Sequence, residues 1–101
     1  MKYVVAVYYV LVPAEVSTNL ARFDGLRYGL QDDTSTFATI KDYYASVRDR
    51  GFGDEVKRRI LMGSYVLSSG FYDAYYRKAQ QVRRVMQEKM SALFDHCDVI
   101  L

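Results

Sequence analysis

The sequence predicts a mainly α-helical chain, with three or four helices followed by a truncated C-terminal strand. Three observations carry the prediction. Ile40, Tyr43, Tyr44 and Val47 fall at i, i+3, i+4 and i+7, the stripe of a half-buried helix. Gly53-Asp54-Glu55 opens another helix, with two acids where the positive end of the helix dipole lies. Tyr75, Ala79, Val82, Met86, Met90 and Leu93 recur along one face of a third, from about Phe71 to Phe94.

Taken in order, the elements read as follows. Residues 3–12 are a continuous apolar run rich in β-branched and aromatic side chains, which taken alone reads as a buried strand, although periodicity does not separate that from a buried helix. Residues 14–23 are more helical, with Val16, Leu20 and Phe23 on one side, and Pro13 either kinks a longer helix or sits in a first turn. Residues 24–29, DGLRYG, read as a turn, and residues 31–38 as an exposed loop. Thr39 with Asp42 three residues on approximates a capping box, and Gly51 ends that helix with Arg48 and Arg50 in its last turn. Val56, Ile60 and Leu67 mark the apolar side of the next helix, which Ser68-Ser69-Gly70 breaks. Residues 98–101, DVIL, look like a strand that stops unfinished, which suggests truncation.

Composition narrows the class. A chain of 101 residues is one domain at most, and 50% hydrophobic with 26% charged residues is ordinary globular usage. A net charge of +2 is too small to argue for nucleic acid by itself. Ten tyrosines without tryptophan suit a half-buried, interface-rich surface. Cys97 has no disulfide partner in the chain, which fits a reducing compartment. The N-terminal apolar run lacks a cleavage site and is shorter than the ~20 residues a membrane span needs. The expectation is a cytoplasmic protein away from membranes.

Few constellations carry chemistry. His96 and Cys97 are neighbours that do not face each other on a helix, and nothing completes a metal site; they read as a helix-end histidine and a buried thiol. Ser68-Ser69 has no base placed to activate it. Gly51-x-Gly53 lacks the third glycine of a phosphate loop. In Lys57-Arg58-Arg59 the side chains point about 100° apart. Lys57 and Arg58 read as a solvated face, whereas Arg59 lies near the edge of the buried face, where a guanidinium suits a carboxylate clamp.

Residues 8–29, YYVLVPAEVSTNLARFDGLRYG, then GFGDEVKRRI at 51–60, MGSYVLSSG at 62–70 and FYDAYYRKAQQVR at 71–83 follow one another in a recognisable order. Together they resemble the amidase signature family, in the form of the A (glutaminase) subunit of tRNA-dependent amidotransferases. Residues 31–38 diverge from that pattern, as do Val16 and Thr18. The resemblance implies that residues 1–101 are a partial amidase domain from the second half of an α/β fold with a mixed sheet, truncated at both ends. It moves residues 3–12 from strand to helix. It also implies that none of the Ser–cis-Ser–Lys triad lies here, so no catalytic residue is expected. Arg59 matches the arginine that pairs with the α-carboxylate of glutamine, Tyr8 matches a pocket tyrosine, and an acidic pocket residue is expected beyond Leu101.

For function the resemblance implies glutamine hydrolysis, with the ammonia converting misacylated Glu-tRNA(Gln), or Asp-tRNA(Asn), to the amide form. No cofactor is expected in this chain; ATP and Mg would serve the partner B subunit, with a C subunit completing a heterotrimer. The alternatives are a stand-alone helical module binding RNA or protein, or part of an amidase that does not act on tRNA.

Overall fold

The computed structural model describes residues 2–100 and consists of helices and connecting loops. Helix α1 spans Val4–Leu20, α2 Ile40–Gly51, α3 Asp54–Leu67 and α4 Lys78–Phe94. A 3-10 turn, Thr34–Thr36, lies between α1 and α2, and a π-helical segment, Tyr72–Arg77, leads into α4. The mainly α expectation holds, and residues 3–12 belong to α1 apart from Tyr3, which precedes it. The expected C-terminal strand does not form among the described residues: 98–100 are irregular and exposed. A strand needs a partner for its backbone groups, and no other strand is present among residues 2–100 to supply one. Leu101 lies outside the described residues.

Pro13 neither ends α1 nor starts it, and the helix runs through it. It sits where α1 meets α3. Pro13 is fully buried, and Gly63 of α3 rests directly on its carbonyl. Leu11 and Ala14 of α1 and Val66 of α3 are buried nearby in sequence, so the two helices share the main seam of the fold. Tyr8 of α1 meets Arg59 of α3, and one turn further along each helix Pro13 meets Gly63. Both pairings advance together, so α1 and α3 run in the same direction. Ala79 of α4 is buried as well, and α4 packs on α1.

Helix α2 is held chiefly by the loop before it. Thr39 is its N-cap: the hydroxyl accepts from the Asp42 amide at 3.1 Å and donates to the Asp42 carboxylate at 2.7 Å. Of the expected stripe, Tyr43 and Val47 are buried and Tyr44 half-buried, while Ile40 is exposed. The buried Tyr43 hydroxyl donates to the Gly25 carbonyl at 2.6 Å and accepts from the Asp32 amide at 3.4 Å. Arg48 reaches the carbonyls of Ala21 and Phe23. Gly25 takes φ +76°, in a turn where the Asp24 carboxylate accepts the amides of Leu26 and Arg27. Those two amides, Arg27 foremost, hold the Asp24 carboxyl below its ordinary pKa. Tyr43→Phe therefore leaves the buried Gly25 carbonyl without its donor, and a loss of about 1–2 kcal/mol is expected. The readout is the urea unfolding midpoint; an unshifted midpoint would show that the loop is not tied through Tyr43.

The third predicted helix begins differently from the expectation. After Gly70, at φ +89°, the chain enters as a π-helical turn before settling into α4. Phe71 stacks on Tyr65 at 4.4 Å, and Tyr72 lies 5.1 Å from Tyr76. Along α4 Val82, Met86 and Met90 are half-buried, but Tyr75 and Leu93 of the predicted face are exposed. The Cα radius of gyration is 18.6 Å, well above the ~13 Å of a globular chain of this length. The seams are therefore elongated, and much apolar surface on α1, including Val5 and Tyr9, stays exposed.

Candidate functional site

The two site residues expected from the sequence lie together. Arg59 Nη1 donates to the Tyr8 hydroxyl at 3.3 Å, although 51 positions separate them. Tyr8 projects from α1 and Arg59 from α3, about one helical turn before the Pro13–Gly63 contact, so the close approach of the helices sets their separation. The Arg59 side chain is 30% exposed, whereas that of Arg58 is 67% exposed, in line with the expected edge position of Arg59.

A third residue joins them. Glu55 Oε1 accepts from Arg59 Nε at 3.0 Å, and Oε2 accepts from Arg58 Nη1. Hydrogen bonding to Tyr8 first, and then to Glu55, raises the Arg59 pKa above its ordinary value. By sequence Glu55 reads only as a helix-start acid; its i, i+4 spacing to Arg59 is the signal that could have found it. The cluster sits at an open surface, since Tyr8 is 46% exposed. Tyr8 also borders a cavity of about 520 Å3 beside Leu11, Glu15, Asn19 and Arg83. So open a surface can supply at most one wall of a small-ligand site, because such a site encloses most of its ligand's surface.

The other candidates resolve plainly. Lys57 is not a free solvated cation: its ammonium bonds Asp49 at 2.6 Å and ties α3 to α2. That contact, by hydrogen bond and then charge, holds the Asp49 carboxyl below its ordinary pKa. Cys97 is exposed rather than buried, with its thiol donating to the Leu93 carbonyl, because the chain turns off α4 with nothing packed over it. Ser68 Oγ donates to the Tyr65 carbonyl at the end of α3, the bond of a helix terminus rather than of an activated nucleophile. Among the described residues no three acids, histidines or cysteines converge as a metal site, and no helix is long and apolar enough to cross a membrane.

The family model described as Amidase matches residues 1–101. The chain belongs to the amidase family. Three proteins to which it is similar are each described as the A subunit of a Glutamyl-tRNA(Gln) amidotransferase. That of Nitrosomonas eutropha is 56% identical over 99% of this chain and 20% of its own length. That of Sphingopyxis alaskensis is 56% identical with the same coverage. That of Chromobacterium violaceum is 57% identical over 93% of this chain and 19% of its own. This amidase chain thus spans about a fifth of the length of the curated relatives it matches.

Proposed function

We propose that this amidase segment forms a helical wall of the glutamine pocket in the glutaminase component of a tRNA-dependent amidotransferase. The observation that carries the proposal is the Arg59–Tyr8 contact, which gathers a guanidinium and a phenol from distant parts of the sequence at one surface. A charged guanidinium beside a hydroxyl suits the α-carboxylate of glutamine, through charge-assisted hydrogen bonds. In this reading a serine and lysine outside residues 2–100 perform the hydrolysis, in which water and the side-chain amide yield glutamate and ammonia. ATP and Mg act on the B subunit, where the carboxyl of Glu-tRNA(Gln) is phosphorylated and ammonia displaces phosphate to give Gln-tRNA(Gln). A C subunit joins the other two, and the complex works in the cytoplasm.

The pairing of cations supports this reading over an RNA-binding module. Arg50, Lys57, Arg58, Arg77 and Arg84 each bond an acidic partner, which leaves fewer unpaired charges for phosphates. The test is a chimera. The present 101 residues replace the matching fifth of the Nitrosomonas eutropha protein, and the chimera is assembled with B and C subunits. Gln-tRNA formation from Glu-tRNA(Gln), glutamine and ATP is expected. A folded, assembled chimera without that product overturns the assignment.

A further inference from the structure

We propose that Glu55 is a positioning residue for the substrate carboxylate: it fixes the Arg59 guanidinium so that its terminal nitrogens and the Tyr8 hydroxyl present a joint set of donors. The inference rests on the reading of Arg59 as the carboxylate clamp. A guanidinium carries five N–H donors in a planar fork. Glu55 Oε1 takes the Nε–H at 3.0 Å, which closes the side edge of that fork. Nη1 gives one hydrogen to Tyr8, and no hydrogen bond engages Nη2 among the described residues. An incoming carboxylate must therefore dock end-on, against Nη1 and Nη2. Tyr8 accepts from Arg59 through its oxygen, so its own proton is available to the same anion.

Glu55 is itself held in place. Its second oxygen accepts from Arg58, one turn along the same helix, so the carboxylate is braced between two guanidinium groups. Arg58 also offsets a negative charge that would otherwise repel an anionic ligand. The helix assists, because Glu55 lies in the first turn of α3, where the dipole favours an acid, and N-terminal to both arginines. A group that binds through a bidentate edge works only when that edge is correctly aimed, so an arginine without its brace loses affinity while its charge remains.

The experiment uses the assembled chimeric enzyme and glutamine kinetics. Glu55→Ala is expected to raise the glutamine KM about tenfold with kcat nearly unchanged. Glu55→Gln keeps an oxygen for the Arg59 Nε–H and is expected to restore KM close to that of the parent. Glu55→Asp keeps the helix-start charge but withdraws the carboxylate by one methylene, so KM is expected to rise without loss of folding. In an Arg59→Ala background Glu55→Ala is expected to add nothing, since Glu55 acts through Arg59. If Arg59→Ala raises KM but Glu55→Ala and Glu55→Asp leave it unchanged, the positioning role is overturned and the clamp stands. If Arg59→Ala itself leaves KM unchanged, the clamp falls, and the positioning role with it. An added Glu55 effect in the Arg59→Ala background also overturns the proposal.

Discussion

Arg59→Ala is expected to raise the glutamine KM of the assembled enzyme by roughly 10- to 100-fold, with a much smaller change in kcat. The magnitude follows from the bonds lost: hydrogen bonds between a guanidinium and a carboxylate contribute about 1.5–3 kcal/mol net, and each ~1.4 kcal/mol is a factor of ten. The division between KM and kcat follows from where Arg59 would act. It would hold the α-carboxylate, which has the same charge before and during attack on the side-chain amide, so its contribution is largely uniform binding. Arg59→Lys is expected to recover only part of the loss. An ammonium keeps the charge but cannot donate to Glu55, Tyr8 and a carboxylate in the planar pattern that the guanidinium fills. Steady-state glutaminase kinetics over a range of glutamine concentrations decide the matter, and an unchanged KM for Arg59→Ala would remove Arg59 from the pocket.

How far the sequence foretells this arrangement depends on the kind of signal. Local chemistry is legible. Thr39 caps α2 through Asp42, Gly53 and the acids after it open α3, and the Ser68–Gly70 break falls where α3 ends. The periodic faces are legible in part, because periodicity names a helix face but not the partner that covers it. Hence Val47 and Ala79 are buried, whereas Ile40, Tyr75 and Leu93 are exposed. Residues 3–12 are ambiguous by pattern alone, since a continuous apolar run has no period to read; the resemblance, not the run, points to a helix. The π-helical entry to α4 is invisible because a 3.6-residue template assumes the geometry it looks for. Of the candidate site, Arg59 and Tyr8 are legible through the resemblance, but their contact is not. Nothing in the spacing of two residues 51 apart fixes a distance. Glu55 could be read from its i, i+4 spacing to Arg59 within α3, whereas the Lys57–Asp49 tie emerges only once α3 is set against α2.

The residue that sets α3 against α1 is Gly63, and Gly63→Ala is expected to destabilise the fold by about 2–4 kcal/mol. Two effects oppose each other here. In an exposed helix, replacing glycine by alanine stabilises by about 1 kcal/mol, because glycine has more backbone entropy to lose. At this position the added Cβ would lie 2.0 Å from the Pro13 carbonyl oxygen and 2.5 Å from its carbon. Those are backbone atoms, so no side-chain rotation relieves the clash, and the helices must move apart along the seam that buries Leu11, Ala14 and Val66. The steric effect outweighs the propensity gain. Separation of the helices would also draw Tyr8 away from Arg59, so the same substitution is expected to weaken glutamine binding without touching the site. Urea unfolding of the parent and variant, with glutamine KM measured on the assembled enzyme, tests both consequences. A Gly63→Ala protein that is as stable as the parent, or more so, would contradict the close approach of α1 and α3.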